Sequence, residues 1–131
     1  MDQKLIDQYM DQLLYAQQGE LDAVLMYNNL AEKVKDAKDA AAFKQLAAEE
    51  GRHASVFHAY TQKVLKPKKT KAVFVPLMYS IVGRKILYPI IAKEEYAAAE
   101  KYKKIVGLFP DVESVMNDEK RHGDIVSGLL K

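Results

Sequence analysis

Two of the three histidines in this 131-residue chain follow a glutamate by three places: Glu50 precedes His53 in "AAEEGRHASVFH", and Glu119 precedes His122 in "DEKRH". On an α-helix, residues three apart share a face, so each pair can offer a carboxylate oxygen and an imidazole nitrogen to a single ion. Oxygen with imidazole is ligand chemistry for iron, manganese or zinc. A lone Glu-x-x-His is most simply a surface pair on a helix. Two of them among three histidines point instead to a repeated site.

Each pair is preceded, at a comparable interval, by a matching segment. "ELDAVLMY", from Glu20 to Tyr27, and "EYAAAEKY", from Glu95 to Tyr102, share a glutamate, an alanine three later and a tyrosine seven later. The intervals suit a helix that rises, turns and returns, because the rise of about 1.5 Å per residue nearly cancels between the two legs. Glu20, Glu50, His53, Glu95, Glu119 and His122 can therefore meet at one level of a bundle. Two hairpins then serve two ions, each Glu-x-x-His holding one while a glutamate on its partner helix bridges. Four inward carboxylates without counter-ions would repel one another and cost several kcal/mol each to desolvate, and two divalent cations cancel that charge.

The chain fits one domain, residues 1–131. It has no cysteine, which excludes disulfides, thiolate metal sites and iron–sulfur clusters; any metal must use imidazole and oxygen. Twenty Lys plus Arg against 18 Asp plus Glu leave a formal charge of +2, too balanced to imply a nucleic-acid partner. "MDQKLIDQYMDQLLY" carries charge throughout and does not read as a secretory signal, so a cytoplasmic location is expected. "AVFVPLMYSIVG" is the most apolar stretch, but Arg84 and Lys85 interrupt it before it could span a membrane, and no membrane partner is expected.

The elements that must position the donors are all helical. Apolar or small residues at helical spacing predict a first helix from Leu5 to about Val34, and Asp36 or Asp39 can cap a second that runs to about Leu65. The break is "KPKKTK", a solvated basic linker. "VFVPLMYSIVGRKIL" predicts a shorter apolar helix opened by Pro76, and Pro89 suits the first turn of another reaching about Leu108. Asp111 or Ser114 can cap a last helix bearing Val112, Val115, Met116, Glu119, His122, Val126 and Leu129 on one face. No alternating β-branched run is bounded by hairpin turns. The expected fold is all-α: a four-helix bundle of two antiparallel hairpins joined by a long crossover carrying a short extra helix.

Glu20, "EEGRH", Glu95 and "EKRH" together resemble the ferritin-like di-iron proteins, and most closely the rubrerythrin and erythrin branch, along the whole chain. The resemblance implies that Glu50 and Glu119 bridge two iron ions, that Glu20 and Glu95 are terminal, and that His53 and His122 are terminal nitrogen ligands, with manganese as an alternative metal. It also places Tyr27 and Tyr102 beside bridging glutamates. Two departures shape the expectation. Rubrerythrins usually carry a further glutamate one turn before the Glu95 position, where this chain has Ala92, so their redox-linked ligand exchange is not expected; Glu94 lies about 100° around the helix and is a reserve ligand only. The cysteine-ligated rubredoxin module is absent, which implies an external electron donor such as a rubredoxin-type protein.

Around the ligands, Tyr27 and Tyr102 are expected to hydrogen-bond the carboxylates, and Asp118, more than Glu49, to orient a histidine through its second ring nitrogen. His58 falls off the face of His53 and reads as a surface or capping residue, and Arg52 and Arg121 read as surface charges. The implied function is a non-haem di-iron oxidoreductase that reduces hydrogen peroxide, cycling between diferrous and diferric states. Alternatives are a ferroxidase reacting with dioxygen or peroxide in iron handling, as in bacterioferritin, and a metal-binding module without turnover. The apolar segment from Val73 to Ile91 suggests a homodimer.

Overall fold

The computed structural model describes residues 2–131. Six helices follow one another, α1 (Gln3–Gln8), α2 (Met10–Lys33), α3 (Ala37–Thr61), α4 (Thr70–Val82), α5 (Arg84–Lys103) and α6 (Val112–Gly128), with no strand among the described residues. α2 packs along α3 and α5 along α6 as two hairpins, α3 meets α6 between them, and α4 lies in the crossover against α2 and α5. This is the expected bundle of two hairpins with one extra helix. None of the helices is long and apolar enough to cross a membrane.

Each long helix buries apolar residues, then one glutamate, then apolar residues again. Leu13 and Ala16 precede Glu20 in α2, and Met26, Tyr27 and Leu30 follow it. Phe43 and Leu46 precede Glu50 in α3, with Phe57 beyond. Val115 precedes Glu119 in α6 and Val126 follows. The bundle therefore has two apolar clusters, one around Phe43, Leu46, Leu87, Tyr88 and Ile91 and the other around Leu13, Phe57, Ile105, Phe109 and Val112, with the acidic layer between them. At about 1.5–3 kcal/mol for each large apolar side chain buried, these clusters fix the height at which the glutamates must face one another.

Asp36 is the cap of α3, its side chain accepting from Lys38 N at 2.8 Å and Asp39 N at 3.0 Å. Several boundaries differ from those expected. A break at Tyr9 divides the first helix into α1 and α2. α3 stops at Thr61 rather than Leu65, because the following strand of chain is strapped to α2: the Gln17 amide donates to Lys63 O (2.8 Å), that of Gln18 to Lys66 O (2.8 Å), and Asp22 accepts from Lys68 N (2.7 Å). Pro67 adds to this by disfavouring a helical Lys66.

Pro76 does not open α4 but sits within it. The carbonyl it leaves without a helical donor is that of Ala72, and the Asn29 amide of α2 supplies one at 3.1 Å. Pro89 likewise lies inside α5, which begins at Arg84, just after Gly83. Gly83 has φ 78°, a left-handed backbone open mainly to glycine, and that single residue turns α4 into α5. α5 ends at Lys103, short of Leu108. Asp111 precedes α6 without a side-chain capping bond; its carboxylate accepts instead from the Tyr60 hydroxyl at 3.3 Å. Val73, Phe74, Leu77, Ile81, Ile86 and Ile90, within the segment expected to meet a second subunit, are exposed.

Candidate metal centre

Glu20 of α2, Glu50 and His53 of α3, Glu95 of α5, and Glu119 and His122 of α6 are all buried, the two histidines completely. They converge. His53 Nδ1 lies 3.1 Å from Glu50 Oε1, 3.1 Å from Glu119 Oε1 and 3.4 Å from Glu20 Oε2. His122 Nδ1 lies 3.1 Å from Glu50 Oε1, 3.4 Å from Glu119 Oε1 and 3.6 Å from Glu95 Oε2. Two groups of donor atoms result, each within a sphere of mutual distances no greater than 4.8 Å: Glu20, Glu50, His53 and Glu119, and Glu50, Glu95, Glu119 and His122. Glu50 and Glu119 belong to both groups. The glutamates of α2 and α5, Glu20 and Glu95, each belong to one.

Each of these six residues keeps one buried atom without a hydrogen-bond partner, and among the described residues no other buried side chain does. Despite their short separations, the two Nδ1 atoms and four carboxylate oxygens point at common centres, so charge attracts them while no directed bond joins them. Six orphaned donors in an apolar interior would be costly unless a further group satisfied them. Oxygen and imidazole in these proportions fit two hard or borderline divalent cations, and the donor set suits iron or manganese.

In the absence of cations, protons take on part of that role. Burial works against a charged imidazole, yet the surrounding carboxylates prevail: Glu119, Glu50 and Glu95 push His122 up to about 12, and Glu119, Glu20 and Glu50 raise His53 further. Burial raises Glu50, reinforced by Glu20, and lifts Glu95 to about 7 against the pull of His122. Glu119, although desolvated, is held down to about 2 by its contacts with both histidines. Divalent ions would have to displace the imidazole protons, so binding and proton release are linked.

Every outward contact crosses between hairpins. Tyr27 of α2 donates its hydroxyl to Glu95 Oε1 of α5, and Tyr102 of α5 donates to Glu20 Oε1 of α2 at 2.7 Å. Each tyrosine thus ties one carboxylate oxygen and leaves the other, Oε2, facing inward. Burial holds both phenols well above their ordinary range, so they remain donors. His53 Nε2 lies 2.8 Å from Asp118 Oδ2 of α6, and His122 Nε2 lies 3.0 Å from Glu49 Oε1 of α3. A proton kept on Nε2 and donated to these carboxylates makes Nδ1 the nitrogen that turns a lone pair inward once a cation displaces its proton.

Glu49 therefore has the same orienting contact as Asp118, which sequence reasoning had favoured. Arg52 and Arg121 are exposed, as expected of surface charges, but they are also partners of these carboxylates. Arg52 meets Asp118 at 2.7 Å, while Arg121 meets both Asp118, at 3.1 Å, and Glu49. The signal for all four was the fuller repeat, an acid, a glutamate, any residue, an arginine and a histidine, in residues 49–53 and 118–122. Glu94 is exposed and outside both donor groups, and Ala92 is buried beneath Glu95 with no carboxylate to offer. His58 is exposed.

The family model for rubrerythrin matches residues 11–130. Neither a curated protein nor a solved structure matches the chain.

Proposed function

The chain belongs to the rubrerythrin family, and on that premise we propose that it is a non-haem di-iron oxidoreductase that reduces hydrogen peroxide with electrons from an external donor. The observation that carries the reading is the convergence of six orphaned atoms on two centres that share Glu50 and Glu119. Glu20 and His53 would complete one half-site, Glu95 and His122 the other. A pair of iron ions held there would supply two electrons to the O–O bond, passing from the diferrous to the diferric state.

The chain's own groups set the conditions for that step. Apolar clusters on both sides of the acidic layer exclude bulk water and keep the local dielectric low, which strengthens the carboxylate field. Tyr27 and Tyr102 fix the rotamers of Glu95 and Glu20, and Asp118 and Glu49 fix the imidazole tautomers, so little reorganisation is needed as charge changes at the centre. Reduction of peroxide to two waters consumes two protons and two electrons. Residues 1–131 carry no cysteine to ligate an iron–sulfur relay, and the electrons are assigned to an external donor.

Ala92 supports a second reading, ferroxidase activity in iron handling, since it leaves the six-ligand set without a further carboxylate one turn before Glu95. Anaerobic titration of the iron-loaded, reduced protein separates the two. The peroxidase reading expects one peroxide to oxidise one iron pair rapidly, with slow oxidation in air and regeneration by a rubredoxin-type donor. Continued oxidation of added Fe(II) with mineral growth and no donor-dependent turnover would support the ferroxidase instead. Metal occupancy with neither reaction would leave only a binding module.

A further inference from the structure

The two acid–Glu–x–Arg–His repeats are alike in sequence, but their arginines do different things. Arg52 reaches Asp118 Oδ2 at 2.7 Å and Ser114 Oγ at 3.4 Å, and makes no contact with Glu49, whose second oxygen is taken by the Gln45 amide at 2.9 Å. Arg121 uses one terminal nitrogen for two carboxylates, Asp118 Oδ1 at 3.1 Å and Glu49 Oε1. Those carboxylates hold the two histidines, Asp118 holding His53 and Glu49 holding His122. A continuous chain of contacts therefore runs His53, Asp118, Arg121, Glu49, His122, around the outside of the centre and from one half-site to the other.

We infer that Arg121 is a positioning residue that couples the two half-sites, so that the first divalent cation to bind prepares the second. The inference rests on the dinuclear reading above. Ordering His53 around a cation fixes Asp118, which fixes the Arg121 terminal nitrogen between Asp118 and Glu49, which in turn holds His122 with Nδ1 inward. Rotamer freedom lost in that chain is lost once, on the first binding event, and the second ion meets a half-site already arranged. Arg52, bound only at the Asp118 end, can steady His53 but has no route to His122. Glu50 and Glu119 also link the half-sites, and they do so equally in variants of either arginine.

The experiment is an optical titration of the metal-free full-length protein with Co(II), whose ligand-field bands report each half-site without any turnover, yielding the ratio of the two stepwise affinities. Wild type should take up two ions with the second bound at least as tightly as the first. Arg121→Gln should lower that ratio by about tenfold and separate the titration into two steps, in the range seen when partners of metal ligands are removed. Arg52→Gln, which leaves the Arg121 link between Asp118 and Glu49 in place, should keep the ratio close to that of wild type.

A merely stabilising role would lower the melting temperature of Arg121→Gln and leave the ratio as in wild type, and that result overturns the inference. An equal change of ratio in Arg52→Gln overturns it too. If Arg121→Gln does not fold, Arg121→Lys, which keeps the charge but not the planar guanidinium that sets the nitrogen between the two carboxylates, should show a smaller fall in the ratio; a wild-type ratio there counts against the coupling. Wild type that binds fewer than two ions removes the dinuclear reading along with the inference, whereas two ions with unchanged ratios in the variants remove the inference alone.

Discussion

The two hairpins present the same donors to the centre but set them in different electrostatic surroundings. Glu50 and Glu119 are equivalent residues of the two repeats, each buried and each in contact with both histidines. Burial and the nearby Glu20 push Glu50 up, whereas Glu119 is held down to about 2. Outside them, Arg121 spans two carboxylates and Arg52 only one. A duplicated motif thus preserves ligand types and helical spacing, while the tertiary neighbours that each copy happens to meet decide where the charge resides.

The sharpest way to break the comparison is to remove what the halves share and what each holds alone. Glu50→Ala or Glu119→Ala deletes a donor of both groups, and dinuclear loading should be lost, with metal content falling from two ions to one or none by elemental analysis. Glu20→Ala or Glu95→Ala deletes a donor of one group, so one ion should remain bound. A count of two ions in Glu50→Ala would reject the assignment of the shared carboxylates.

The next largest effect is on pH dependence, where the metal-free and loaded proteins should diverge. In the metal-free protein His122 is raised from its ordinary value to about 12, so its stabilising effect is complete below about pH 6.5 and is lost as pH rises toward 12. Glu95, raised to about 7, also favours the folded state only while protonated and loses that effect between about pH 4.5 and 7. Glu119 acts at the other end, its stabilisation being lost as pH falls below about 4.5 toward 2. The melting temperature of the metal-free protein should therefore peak in mild acid and fall between about pH 6 and 9, as the unfolding free energy drops by up to about 1.4 kcal/mol per pH unit for each proton retained on folding. Cations displace those protons, so the gain in melting temperature on adding metal should grow over the same range. Parallel curves for the two forms would show that the imidazoles carry no proton for the metal to displace.

How much of this was legible in the chain itself follows the same division. The Glu-x-x-His pairs and their partner glutamates could be read because helical spacing fixes which side chains share a face, and the apolar layers on either side were written in the same period. Helix ends were harder. Pro76 reads as a starting signal, and only the long-range bond from Asn29 to the Ala72 carbonyl lets the helix run through it. Asp39 reads as a cap candidate but is buried, bound by Arg84 and Tyr88 from α5. The role of Arg121 was invisible for a related reason: a repeat reveals that an arginine recurs, while the partner that carries it to the other half-site, Glu49, comes from the opposite helix.

The smallest contrast lies in two glycines, one in the first repeat and one beside the second. Gly51 sits inside α3, where an added Cβ would meet only Val24 Cγ2 at 3.9 Å, an ordinary contact. Gly51→Ala should gain up to about 1 kcal/mol from helix propensity. Gly123, directly after His122, lies against the ring of Tyr96, the neighbour of Glu95; an added Cβ would be 2.5 Å from its Cε1 and 2.6 Å from its Cζ. That ring is held over the glycine by its hydroxyl, which donates to Asp124 Oδ1 at 2.5 Å. Gly123→Ala should therefore lose about 1–3 kcal/mol to overpacking, more than propensity returns. Because the displaced ring adjoins Glu95 and the new methyl adjoins His122, the strain falls on the second half-site, and one Co(II) step should weaken in Gly123→Ala while both stay unchanged in Gly51→Ala. Thermal unfolding of the metal-free variants supplies the test: shifts of opposite sign are expected, and shifts of the same sign would mean that Tyr96 moves aside freely and that the tight packing beside His122 is not a constraint on the centre.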